Sequence, residues 1–177
     1  MDIKKFLEQT GGQWFSQRTT YNLEPKETKV ENSKADLTVE ILAPDDPQII
    51  NLCQENSFDP SLILGAIASS WNNSLDWGKP KQQGSSLLAL VKNEENEQKG
   101  KIFRAINQAE RKVIVGNYIL GKDEALTLIL QQGNNYAEER IWFASSNLRM
   151  RTIIQKNNHK CTMSSFYSEI RKVTKAQ

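Results

Sequence analysis

From Ser85 onward the sequence breaks into short runs of strand-forming residues at nearly regular spacing: Ser85 to Val91, Lys101 to Ile106, Lys112 to Leu120, Ala125 to Gln131, Tyr136 to Ala144, Leu148 to Gln155 and Met163 to Val173. Most are bounded by Gly, Asn or charged turn residues, and the connectors are too brief to carry crossover helices, so the runs read as an antiparallel meander. Upstream, Gln17 to Leu23 is extended. In Ala35 to Leu42, Leu37, Val39 and Ile41 alternate with Asp36, Thr38 and Glu40, the pattern of a strand with one wet face. Two stretches have helical spacing. Asp2 can cap a short helix carrying Ile3, Phe6 and Leu7, which Gly11-Gly12 would end, and Asp46-Pro47 opens a second that extends to Asn56. Ile63 to Trp71 fits either strand or helix. Glu24 to Glu27, Trp77 to Gly84 and the polar Asn93 to Lys99 segment read as turns or loops.

So many short strands with so few helices point to a closed barrel or a sandwich. Closure removes the unpaired edges on which such sheets aggregate, and a barrel of about eight or more strands can enclose one small ligand. The expected fold is therefore all-β: a closed antiparallel barrel, one domain over residues 1–177, with an N-terminal helix and one additional short helix.

At 177 residues a chain buries enough surface to hold a core without disulfides or metal. Cys53 and Cys161 lack a short pair spacing and are expected as free thiols, Cys53 in a buried structural setting beside Ile49, Ile50 and Leu52. With one histidine, His159 in a turn-like Asn157-Asn158-His159-Lys160 stretch, a metal site is not expected. No run approaches the roughly 20 apolar residues of a membrane span, and the N-terminal octapeptide lacks a secretory pattern, so a cytoplasmic protein without integral membrane association is expected. Lys and Arg total 23 against 21 Asp and Glu. The net charge of +2 decides little, but no dense Lys/Arg block of the kind that follows a nucleic-acid backbone is present. A nucleic-acid-binding barrel would also need a continuous basic and aromatic outer surface. Phosphate-loop, dinucleotide and hydrolase-elbow motifs are absent.

Arg149 and Arg151 carry the main chemical signal. Two residues apart on a strand, they share one face with Ile153 while Met150, Thr152 and Ile154 take the other. They could clamp a dianionic ligand, or form part of a solvated, salt-bridged face. Turned inward, they demand carboxylates from the protein or a ligand. Arg18 shares a strand face with Trp14, Ser16 and Thr20, and could join the clamp or cover a tryptophan. Glu138, Arg140 and Trp142 form one stripe, with Glu139, Ile141 and Phe143 opposite. Glu138 and Glu169, on arginine-bearing late strands, are candidates for proton transfer or for accepting N–H donors, and equally for pairing with the arginines. Trp142 is a candidate ligand platform or ordinary core.

Gly12-Gln13-Trp14 resembles the Gly-x-Trp start of lipocalin-like barrels. The stretches Trp14 to Tyr21, Glu139 to Thr152 and Ser165 to Arg171 together resemble the S/U-type phycobiliprotein bilin lyases, over nearly the whole chain and in the same order. The resemblance implies a lipocalin-like barrel that binds an open-chain tetrapyrrole, phycocyanobilin or a related bilin. It implies covalent attachment to a cysteine of an apo-phycobiliprotein subunit by thioether formation. Arg18, Arg149 and Arg151 are the bilin-binding residues it suggests, meeting the pigment's two propionates; on the residue reading above, Trp14 and Trp142 join them as bilin-binding candidates, with Glu138 and Glu169 as acids or pyrrole-nitrogen contacts. The bilin is then substrate, with no permanently bound cofactor. Ser145-Ser146-Asn147 stands where Ser-Pro-Asn is expected, and Tyr167 where cysteine is expected, which removes a candidate thiol. The alternative function is a bilin-binding chaperone or a noncatalytic subunit of a two-subunit lyase. A homodimer or a related lyase subunit belongs to the same expectation, as does a phycobilisome-containing, cyanobacterium-like cell.

Overall fold

The structure is a computed structural model describing residues 1–23, 26–93, 96–106 and 113–173. Helix α1 (Ile3–Thr10) leads into β1 (Gly12–Leu23) and β2 (Thr28–Leu42), followed by α2 (Pro47–Glu55) and a single 3-10 turn at Pro60–Leu62. Eight further strands follow: β3 (Ile63–Asn72), β4 (Gln83–Asn93), β5 (Asn96–Ile106), β6 (Val113–Leu120), β7 (Leu126–Gln132), β8 (Asn135–Ser145), β9 (Leu148–Asn157) and β10 (Lys160–Arg171). Each strand pairs antiparallel with its sequence neighbours, and β1 pairs with β10 to close a ten-stranded barrel. The expected all-β closed barrel with two short helices is the observed one, and Ile63 to Trp71 resolves as strand.

Strands outrun their sequence signals where the side chains are polar. β2 begins at Thr28, well before the alternating Leu37-Val39-Ile41 segment, because its backbone pairs with β1 from Leu23↔Thr28 onward; a ladder needs amides and carbonyls, not apolar side chains. The same reason shortens the expected Asn93 to Lys99 loop. β4 runs to Asn93 and β5 resumes at Asn96, while Glu94 and Glu95 lie outside the described residues, as do Glu24 and Pro25 of the first turn and Lys112. The β9–β10 hairpin turns on Asn158 and His159, both with positive φ (48° and 65°), the conformation that two-residue hairpins favour and asparagine tolerates.

One end of the barrel is closed by α1. Asp2 caps it by accepting from the Lys5 amide at 2.8 Å, and its apolar face sends Ile3, Phe6 and Leu7 into a core with Leu90, Ile102, Tyr118 and Leu128 from the inward faces of the strands. The helix lies so close to β3 that a Cβ at Gly65 would meet Leu7 Cδ1 at 2.7 Å and make that side chain shift. Helix α2 instead packs outside the barrel. Ile49, Leu52 and Cys53 cover the outward residues Ala66, Ala89, Val91 and Phe103, and burial pushes the Cys53 thiol pKa up, with Asp59 adding to the shift. Among the described residues no helix is long and apolar enough to cross a membrane.

Candidate functional site

Above the plug the barrel encloses a cavity of about 730 Å³, inside the range of about 300–1,000 Å³ typical of small-molecule sites. Strand register builds its charged wall in successive rows. Ser16 on β1 lies beside Glu169 on β10, which lies beside Arg149 on β9; one row further from α1, Arg18 lies beside Tyr167 and Tyr167 beside Arg151. Because alternate residues face the lumen, the Arg149-x-Arg151 spacing puts both guanidiniums inside, and Ile153 with them, as the parity predicts.

Nearest the plug, Glu169 is fully buried. It accepts from Arg149 Nε at 2.6 Å, from Arg151 Nη2 at 3.1 Å and from the Ser16 hydroxyl at 3.2 Å. Arg149 is also buried, its guanidinium 4.7 Å from the centroid of the Trp14 ring. Burial pulls the Arg149 pKa down against the opposing pull of Glu169. One row up, Arg151 stacks 3.9 Å from the Tyr167 ring centroid and donates through Nη1 to Glu139 at 2.9 Å. Arg104 on β5 reaches the other Glu139 oxygen at 2.6 Å. Burial alone would raise the Glu139 pKa, but Arg104 and Arg151 overcome it and hold the carboxylate at about 2; it is ionised at any physiological pH. For Arg151, burial acts to lower the pKa, and the two carboxylates outweigh it and raise it. Arg18 donates through Nε to Ser33 at 3.0 Å and lies 5.9 Å from the Tyr167 ring centroid.

Four guanidiniums line the cavity, Arg18, Arg104, Arg149 and Arg151, against one lining carboxylate, Glu139, and a second, Glu169, buried behind Arg149 and Arg151. The charged residues of the opening, Glu31, Lys34, Asp76 and Lys79, cancel one another. Nε of Arg104 and Nε of Arg151 are buried and have no protein hydrogen-bond partner. Buried donors without acceptors are costly, and these belong to cations facing a cavity.

The site thus unites Arg18, Arg149, Arg151 and Glu169 of the sequence candidates and leaves others apart. Glu138 and Trp142 do not line the cavity. They lie on the opposite face of β8 from Glu139, where Glu138 accepts from the Tyr136 hydroxyl at 2.5 Å and Trp142 neighbours Met150 across the outer sheet. That contact raises the Tyr136 pKa to about 12, with burial adding to the hydrogen bond. Trp14 is fully buried near the plug and does not line the cavity either. It supports Arg149 from behind and donates its indole N–H to the Thr10 carbonyl at 3.0 Å. The arginine that stands with Arg149 on Trp14 is Arg171, at 4.1 Å, rather than Arg18. Arg104 and Glu139 went unmarked in the sequence. Glu139 sits on the stripe with Ile141 and Phe143, and that stripe faces inward. Arg104 is an isolated arginine on a strand whose only signal is that a charge among Ile102, Phe103 and Ala105 needs a partner.

Known proteins resemble this chain in sequence and in fold. A "Chromophore lyase CpcS/CpeS" from Thermosynechococcus vestitus is 42% identical over 171 residues, covering 97% of this chain and 93% of the relative. A "Phycocyanobilin lyase subunit CpcS" from Picosynechococcus is 34% identical over 153 residues, 85% of this chain and 76% of the relative. The solved structure of the S-type phycobiliprotein lyase CPES from Guillardia theta superposes with a TM-score of 0.82 at 29% identity, covering 99% of this chain and 95% of that one. Since the model of the CpeS-like protein family matches residues 2–172, from the cap of the plugging helix to the last residues of the closing strand, this chain belongs to that family.

Proposed function

We propose that this protein is a phycobiliprotein chromophore lyase that holds an open-chain bilin in the barrel and joins it to a cysteine of an apo-phycobiliprotein subunit. The observation that carries the reading is the uncompensated positive charge of the cavity wall. Four guanidiniums face two carboxylates, and two of those guanidiniums have unpartnered Nε donors. A bilin brings two propionates, which restore neutrality through charge-assisted hydrogen bonds. Arg18, Arg149 and Arg151 are the residues assigned to them, with Arg104 beside them. Glu139 lines the cavity between Arg104 and Arg151, and the lone pairs its arginines leave open can accept pyrrole N–H donors, the role given to Glu138 on sequence grounds. Glu169 does not line the cavity and acts on the ligand through Arg149 and Arg151.

The reaction is an addition without redox change. The acceptor sulfur bonds to the exocyclic ethylidene carbon of ring A, the C=C electron pair shifts to the ring, and the proton lost by the thiol ends on the ring carbon. The lyase supplies no nucleophile; it fixes the pigment's conformation, which shortens the search for a reactive geometry. This reading carries with it a cytoplasmic setting in a phycobilisome-containing cell, as the cyanobacterial relatives support. The name "lyase subunit" on one relative also makes a second, related subunit a component to add in the assay.

The test mixes purified protein with phycocyanobilin and separate apo-phycobiliprotein subunits, follows absorbance, and detects covalent pigment by fluorescence in denaturing gels. Site-specific attachment faster than in the lyase-free control is expected. A bilin spectral shift without covalent product, even with a related subunit added, assigns a carrier instead, and no binding refutes the reading.

A further inference from the structure

Trp77 is 90% exposed, an extreme position for the side chain with the most apolar surface to hide. It stands at the tip of the β3–β4 loop, where Gly78 with φ +85° makes a turn that other residues adopt only under strain. The loop is braced on both sides. Asn73 donates to the Pro80 carbonyl at 2.8 Å and accepts from the Gln82 amide at 2.6 Å, Asp76 accepts from the Lys34 amide of β2 at 3.2 Å, and Lys79 donates to the Asn32 carbonyl. Asp76 and Lys79 line the cavity, whereas Trp77 between them does not. The loop therefore sits at the open end, opposite the helical plug, and points its indole away from the lumen. Around the same opening, Val30 (53%), Ile106 (44%) and Trp71 (39%) are also exposed, so apolar side chains stand among the mutually cancelling charges of Glu31, Lys34, Asp76 and Lys79.

We propose that this rim, with Trp77 as its anchor, is the docking surface for the cysteine-bearing acceptor protein, an inference that rests on the lyase reading. A thiol can add to a pigment inside the barrel only if its protein seats on the end that α1 leaves open, and Trp77 with the exposed Val30, Trp71 and Ile106 stands at that end. The loop's bracing holds Trp77 in place before any partner arrives, which lowers the ordering cost of association. A single large aromatic in such a position is the type of side chain that dominates protein interfaces. The occupant is the apo-phycobiliprotein subunit, with an apolar patch beside its reactive cysteine to receive Trp77.

The experiment compares wild type, Trp77→Ala and Trp77→Phe in three measurements: phycocyanobilin affinity by absorbance titration, pigment addition to 2-mercaptoethanol, and attachment rate as a function of apo-phycobiliprotein concentration. The expected result is that Trp77→Ala changes pigment affinity and small-thiol addition by less than twofold, while raising KM for the acceptor tenfold or more, with Trp77→Phe recovering most of the loss. Unchanged acceptor dependence overturns the proposal. So does an equal fall in pigment affinity, which would make Trp77 a pigment contact, or conversion of a dimer to a monomer in sedimentation, which would make the rim a contact between copies. A wild-type protein that binds no pigment instead refutes the lyase reading, and the docking inference falls with it.

Discussion

Replacing Glu169 by glutamine changes one atom and removes the counter-charge of the deepest arginine in the barrel. The native carboxylate takes Arg149 Nε on one oxygen and both Arg151 Nη2 and Ser16 Oγ on the other. The amide oxygen of glutamine can keep the second set, but its NH₂ then meets the Nε–H of Arg149, donor against donor. Arg151 retains Glu139, whereas Arg149, 4% exposed, is left buried without an anion. Breaking a buried pair in this way costs about 3–5 kcal/mol. In a domain of this size each kcal/mol shifts Tm by about 2–4 °C, so the variant should melt about 6–20 °C lower. Thermal unfolding followed by circular dichroism, with ligand absent, measures it. The companion variant Glu169→Gln/Arg149→Met replaces both charges and should recover most of the loss, because an apolar side chain of similar reach has no charge to strand. A single variant melting within about 2 °C of wild type, less than 1 kcal/mol, would refute the claim that Arg149 depends on Glu169.

Other outcomes follow from the same wall. Glu139 has its pKa depressed from an ordinary 4.5 to about 2, so its contribution to stability is fully present above pH 4.5 and is lost as pH falls toward 2; denaturant titrations across that window should show a steeper loss for wild type than for Glu139→Gln. Arg18→Ala should weaken phycocyanobilin binding by about ten- to a hundredfold, the worth of one charge-assisted hydrogen bond. It should leave Tm within about 2 °C, because Arg18 is half-buried and is hydrogen-bonded to Ser33. Glu138→Gln should leave pigment affinity unchanged, since the side chain lies outside the cavity, and should lower the Tyr136 pKa from about 12 toward that of a free phenol, as read by phenolate absorbance.

Much of this site could be read from the chain because alternation is rigid once a strand is recognised. Arg149 and Arg151 had to share a face, and Arg18 had to share one with Trp14 and Ser16. Alternation does not say which face looks inward, and β8 shows why. Both of its stripes carry a carboxylate and aromatic residues, Glu138 with Tyr136 and Trp142, and Glu139 with Phe143. The tryptophan suggests a lining residue, yet the inward stripe is the one with Ile141, and the register shift between Phe143 and Ser145 interrupts both stripes near the strand's end. Arg104 was invisible for a different reason. Its partner lies 35 residues away on a strand separated from β5 by β6 and β7 in the sheet, and only the curvature of the barrel wall brings the inward side chains of β5 and β8 together. Trp77 was legible as loop but not as exposed, since nothing local distinguishes a tryptophan that folds under a loop from one that stands on it.

The seam between β1 and β10 has a consequence for how the protein is made. Ser16 and Glu169 meet across 153 positions of sequence, and Arg18 and Tyr167 are neighbours in the next row. A chain emerging from the ribosome at about 5–20 residues per second exposes Arg149 and Arg151 before Glu169 has been synthesised, and the β1 side of the wall waits longest of all. Hairpins between consecutive strands can zip locally and early, but pairing of the first strand with the tenth bears the loop-closure entropy of almost the entire chain. Closure is then the late and slow event of folding, and affinity for a dianion arises with it in one step. A pigment that binds only the closed barrel acts as a folding ligand, drawing the nascent seam shut by mass action.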